Sequence, residues 1–156
     1  MRKEDIIREI ELGVRAFLEA NERSKISTID DFEETRILES SFNRLFLSIE
    51  HTCNALLLLE TGNFSPKHFG DFTKFKELKE KYKTDFQSIY QETYTFRSYG
   101  DYRKFPEIKE KFDRKNLKEE IVKAKIIINI VLEIIDKKTD VSYLQEKIST
   151  EERKKS

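Results

Sequence analysis

The chain of 156 residues holds one cysteine, two prolines, four glycines and no tryptophan. A lone thiol, Cys53, excludes an intrachain disulfide and a cysteine-based zinc site. So few glycines leave no glycine-rich phosphate loop and no Gly-x-Ser-x-Gly elbow. An excess of charge is also missing, because 30 Lys and Arg balance 30 Asp and Glu. No global field therefore draws the chain to nucleic acid or membrane, although a local basic patch stays open. The longest apolar run, Ile126 to Ile135, is broken by Asn129 and Glu133 and is too short to cross a bilayer. The opening Met-Arg-Lys-Glu-Asp lacks the apolar core of a signal peptide. Together these absences predict a cytoplasmic protein that does not enter the membrane.

What the chain does have is charge, at 38 % of its residues, and apolar side chains recurring at three and four positions. That period is helical. A first helix is predicted over about Glu4 to Ala20, with Ile6, Ile7, Ile10, Val14, Phe17 and Leu18 on one stripe. Asp31 with Glu34 reads as a capping box that opens a second helix, and Gly62 as its left-handed stop. Its stripe runs through Leu38, Phe42, Leu45, Phe46, Ile49, Cys53, Leu56 and Leu57. Ser65-Pro66 opens a third helix, carrying Phe69, Phe72, Phe75, Leu78 and Tyr82. Thr84 and Gln87 cap a fourth helix, which ends near Gly100. A loop with Pro106 leads to Asn116 and Glu119, read as the cap of a fifth helix reaching about Lys137. A short sixth segment, about Val141 to Ile148, is expected to pack loosely.

Amphipathic helices joined mostly by short connections predict an all-α, up-and-down antiparallel bundle of about five main helices. It forms one domain over residues 1–149, with residues 150–156 as a polar tail. The fifth helix is apolar on more than one face, at Ile126-Ile127-Ile128 and Ile130-Val131-Leu132. A helix apolar nearly all round is either central or part of an interface, so a homodimer is expected alongside a central position.

Clustered polar chemistry meets a structural break at one place, Arg97-Ser98-Tyr99-Gly100-Asp101-Tyr102. Arg97 and Asp101, four apart, suit an ordinary helix-end ion pair. They equally suit a phosphate site in which Arg97 binds bidentately, Asp101 orients it and Tyr102 stacks or hydrogen-bonds. Arg103 and Lys104 add positive charge beside the break. Lys67 and His68 lie at the start of the third helix, where they either satisfy the helix end or help bind an anion. His51 lies beside the apolar stripe of the second helix, where a hydrogen-bonded structural role competes with acid/base work. The acidic pairs, among them Glu119-Glu120, read as caps or solvated faces. Two histidines and one cysteine form no zinc spacing, so neither metal nor cofactor is expected.

The segment Phe42-Asn43-Arg44-Leu45-Phe46-Leu47-Ser48-Ile49-Glu50-His51-Thr52-Cys53-Asn54-Ala55-Leu56-Leu57 resembles the long helix of small HEPN-domain proteins. That helix often ends in a His followed by small residues and paired leucines. Ser65-Pro66-Lys67-His68-Phe69-Gly70 resembles the Lys-Thr-His-like start of their next helix, and Arg97 to Tyr102 their Arg-x-x-small-Asp-Tyr motif. The fifth helix, with its central Ala124, is similar to their closing helix. The likeness spans roughly Asp31 to Lys137 and rests on the order and spacing of these motifs together.

This resemblance implies a homodimeric bundle with the Arg motifs of two subunits meeting in a cleft. Such proteins are often toxins paired with a small nucleotidyltransferase antitoxin, and many are metal-independent ribonucleases. The ribonuclease motif places a His after Arg and four to six intervening residues. Here those positions hold Tyr102, Arg103 and Lys104. Neither Arg nor Lys shuttles protons readily near neutral pH. The expectation is therefore a binding module for a nucleotide, RNA or a nucleotidyltransferase partner, with Arg97, Asp101, Tyr102, Lys67, His68 and Arg103 at its site. One alternative is an active ribonuclease using Arg97 with His68 or His51. Another is a structural bundle whose fifth helix meets a partner.

Overall fold

The computed structural model describes residues 3–62 and 73–153. Among these residues, six α-helices and one 3-10 helix follow in order: α1 (Lys3–Arg23), α2 (Asp31–Thr61), α3 (Thr73–Tyr82), α4 (Phe86–Tyr102), the 3-10 helix (Pro106–Lys111), α5 (Arg114–Asp136) and α6 (Ser142–Arg153). No strand occurs among the described residues. The chain is an all-α helical bundle. Among those residues no helix is long and apolar enough to cross a membrane.

Cross-helix partners fix the topology. Glu9 meets His51, Glu19 meets Arg44 and Arg23 meets Ser40, so α1 and α2 run antiparallel. Glu39 with Arg103, Phe42 with Phe96 and Phe46 with Tyr90 set α4 antiparallel to α2. Tyr99 with Phe112 and Glu92 with Lys123 carry the descent onto α5. α2 is thus the spine, in contact with α1, α4 and α5. Arg114 pins the α1–α2 connection to the start of α5. Its Nη1 donates to the Ser24 carbonyl at 2.7 Å, and its Nε and Nη2 each reach Glu34 at 2.9 Å.

The periodic stripes are the core. Ile6, Ile10, Val14 and Phe17 of α1 are buried, as are all the stripe residues of α2 and those of α5 from Leu117 to Ile135. Each fully buried large side chain contributes about 1.5–3 kcal/mol. α5 packs against α1, α2, α4 and α6, which accounts for much of its apolar circumference. Val122 and Ile126 nevertheless face outward.

Four details differ from the sequence reading. The helix caps are Asp30, Asp85 and Asp113, not Asp31, Thr84 and Asn116. Asp85 and Asp113 accept backbone N–H groups at 3.0 and 2.8 Å. A carboxylate competes well for these ends because its charge complements the helix dipole. Asp30, in extended backbone, caps α2 at 2.8 Å from Phe32 N. Secondly, α4 passes through Gly100 and stops at Tyr102. Thirdly, the stretch after Pro106 is a 3-10 helix rather than a loop. Lastly, α6 reaches Arg153, past the expected end of the sixth segment near Ile148, and rather than packing loosely it buries Leu144 and Ile148, with Val141 just before it buried as well. The expected third-helix start at Ser65-Pro66, with Phe69 and Phe72, lies outside the described residues.

Candidate functional site

The Arg97 motif rests on an aromatic stack. Phe42 of α2 lies 4.5 Å from Phe96, nearly parallel, and 5.0 Å from Phe112. Tyr99 packs edge-on against Phe112 at 4.9 Å. Gly100 sits where α4 presses closest. A Cβ there would lie 3.2 Å from Phe112 Cζ and 3.6 Å from the Glu39 Cα. The glycine therefore makes room for a ring and for α2, and does not end the helix.

Arg97 projects from this stack with one side of its guanidinium fixed. Nε donates to Asp101 Oδ2 at 2.9 Å, and Asn43 Nδ2 donates to the same oxygen at 3.1 Å. The Arg97 Cζ lies 5.3 Å over the Phe46 ring and 6.0 Å from that of Tyr102. The ion pair is partly solvated, at 27 % and 25 % side-chain exposure, so it contributes only about 0.3–0.5 kcal/mol. Its larger effect is orientation. Among the described residues, neither terminal nitrogen of Arg97 has a hydrogen-bond partner. A braced guanidinium with two outward nitrogens is the geometry that grips a phosphate or carboxylate by two parallel bonds.

Tyr102 lies beside this fork and is 63 % exposed, with Lys104 Nζ 5.7 Å from its ring. Arg103 has a different role. It is the left-handed cap of α4, and its Nη1 donates to the carbonyls of Tyr99 and Gly100 at 2.9 and 2.7 Å. Its Nη2 pairs with Glu39 at 2.9 Å. These bonds satisfy the helix end and lock it to α2.

The structure does not bring His51 to Arg97. His51 Nδ1 lies 2.6 Å from Glu9 Oε2 on α1, and Asn54 Nδ2 approaches the same carboxylate at 3.5 Å. Five positions separate His51 from Phe46, the residue beneath Arg97, which is about 140° around a helix. Lys67 and His68 lie outside the described residues. Among the described residues no three His, Cys, Asp or Glu side chains are placed to hold a metal ion.

Sequence reasoning passed over Asn43, Phe46, Tyr94 and Phe105. Phe46 was assigned wholly to the core, yet one edge supports Arg97 and Tyr94. It also misread Glu120, which is 3 % exposed rather than solvated. The signal was available: Glu120 stands three positions after Leu117 and four before Ala124, on the buried stripe. Burial and the neighbouring Glu92 push its carboxyl up to about 8. The hydrogen bond from Glu120, with help from Lys123, holds Glu92 below its ordinary value.

Compared with known proteins, the chain matches no family model, no curated protein and no solved structure.

Proposed function

We propose that this chain is a HEPN-type binding module, in which Arg97 holds a phosphate of a nucleotide or RNA without turnover. The supporting observation is the Arg97 guanidinium, braced at Nε by Asp101, lying over Phe46, and leaving both terminal nitrogens without a hydrogen-bond partner among the described residues. Such a fork recognises a planar or tetrahedral anion before any chemistry occurs. In this reading two chains form a cytoplasmic homodimer, and the module is the HEPN half of a toxin–antitoxin-type pair with a nucleotidyltransferase. Absence of turnover follows from the ribonuclease His positions, which hold Tyr102, Arg103 and Lys104. Arg103 is moreover bonded to its own helix end and to Glu39.

The test is equilibrium binding of adenosine monophosphate and a labelled RNA oligonucleotide in EDTA, comparing the native chain with Arg97→Ala. Charge-assisted hydrogen bonds contribute about 1.5–3 kcal/mol, so at least about tenfold weaker binding is expected, with the RNA intact. Unchanged affinity in Arg97→Ala overturns the site. Cleavage abolished by that substitution replaces the binding module with the ribonuclease reading, in which His68 or His51 supplies the proton transfer.

A further inference from the structure

The segment that follows the Arg97 motif has an unusual composition. The chain as a whole is neutral, yet residues 103–118 carry seven basic and three acidic side chains. Lys109, Lys111, Lys115 and Lys118 are exposed and make no ion pair among the described residues. One of the three acids, Asp113, is engaged in capping α5. This segment comprises the α4–α5 connection and the first turn of α5, and it follows directly on the Arg97 motif.

Exposed aromatic rings stand at the same place. Tyr94, Tyr102 and Phe105 are 39 %, 63 % and 38 % exposed. Phe105 meets Tyr94 edge-on at 6.5 Å, and Tyr94 meets Phe46 at 5.7 Å. The rings therefore flank Arg97 rather than scatter over the surface. Phe105 is also held in left-handed backbone, at φ 59° and ψ 63°. A bulky residue is rarely found there, and this one does not earn its place by burial.

From these observations we infer that the end of α4, the α4–α5 connection and the start of α5 form a track for an unpaired nucleic-acid strand, with bases stacked on Tyr102 and Phe105 and phosphates held by Arg97 and by Lys109, Lys111 and Lys115. The inference rests on the Arg97 reading and extends it in length and in ligand. Aromatic faces discriminate an unpaired strand from a duplex, whose bases are already stacked on one another. The lysines, exposed and without an ion pair among the described residues, supply sequence-independent attraction to the backbone. An acidic protein segment would use the lysines but would gain nothing from the rings.

The experiment is fluorescence anisotropy with four labelled probes of equal length: single-stranded RNA, single-stranded DNA, an abasic strand and an RNA duplex. Native protein is compared with Tyr102→Ala, Phe105→Ala, the pair Lys109→Glu with Lys115→Glu, and Arg97→Ala. The expected result is that single strands bind at least fivefold tighter than abasic or duplex probes. Each aromatic variant loses about fivefold or more on base-bearing strands only. The double lysine variant weakens all probes and flattens the dependence on salt. RNA and DNA binding alike assigns the recognition to base and phosphate, and RNA alone adds the 2′-hydroxyl. Equal binding of abasic and base-bearing strands, or aromatic variants without effect, overturns the track. If Arg97→Ala still weakens nucleotide binding in that case, the phosphate site survives and only the track falls. If Arg97→Ala is silent too, both fall. A competing acidic peptide that displaces nothing leaves the strand as ligand, whereas an acidic peptide bound tighter than any strand overturns it.

Discussion

Glu120 of α5 and Glu92 of α4 share Lys123, whose Nζ lies 2.8 Å from Glu92 and 3.4 Å from Glu120. Glu120 Oε2 is buried and finds no donor, so a proton on that oxygen gives it a partner. Burial first, and then Glu92, holds this carboxyl protonated up to about 8. Lys123, and Lys111 from the 3-10 helix, are the cations that act on Glu92. Between the ordinary value of 4.5 and about 8 the folded chain keeps a proton that the unfolded chain releases. Stability therefore falls as pH rises through that window, by at most about 1.4 kcal/mol per unit. Glu92, with its lowered value, acts oppositely, and its contribution is lost only as pH falls through that lowered value. Thermal melts from pH 5 to 8.5 are expected to show a falling Tm, and Glu120→Gln is expected to flatten the curve. An unchanged slope in that variant refutes the proton on Glu120.

Two glycines make unequal demands. A Cβ on Gly13 would lie 2.6 Å from Thr52 Oγ1 and 3.1 Å from the Ser48 carbonyl, where α1 and α2 touch backbone to side chain. At Gly100 the nearest atom is the edge of the Phe112 ring at 3.2 Å, on a half-buried side chain with room to shift. Gly13→Ala should therefore cost about 2 kcal/mol. Gly100→Ala should stay within about 1 kcal/mol, because the better helix propensity of Ala offsets the displaced ring. Denaturant titration of the two variants separates these values, and equal losses contradict the difference in contacts.

Much of this architecture was legible because helical period is a local property. The stripes of α1 and α2 were read from spacing, and most of their residues are in the core. The positions of helix starts were less legible. Asp30, Asp85 and Asp113 outcompete neighbouring caps, and that choice depends on which residue's backbone leaves the helical region. Gly100 was readable as a special residue but not as a contact, since Phe112 approaches it from across the chain. For the site, the pairing of Arg97 with Asp101 followed from four-residue spacing. Asn43 and Phe46 did not, because α2 and α4 meet only in the folded chain. The separation of His51 from Arg97 was equally invisible, as it depends on Glu9 of α1.

Cys53 offers a clean probe of global opening. Its side chain is 1 % exposed, and burial, then the nearby Glu50 charge, pushes the thiol up. The reactive species is the thiolate, which the fold suppresses twice over, by access and by ionisation. Alkylation by iodoacetamide should be undetectable in the native chain at pH 7.5 and should track the unfolded fraction in denaturant. Labelling in water at the rate of a free thiol contradicts the burial.

Phe105 allows stability and binding to be separated. Left-handed backbone costs an L-residue about 1–2 kcal/mol, while Asn tolerates it through local hydrogen bonding. Its ring is 38 % exposed and meets Tyr94 edge-on at 6.5 Å, so it is not a core residue. The Phe105 carbonyl accepts from Ile108 N at 2.9 Å, a backbone bond that any side chain preserves. Phe105→Asn should therefore hold or raise Tm. If the ring serves only to shield the end of α4, the same substitution should instead lower Tm and leave nucleic-acid binding unchanged. A rise in Tm together with a fall in affinity for single strands identifies the strain at Phe105 as a cost maintained for binding.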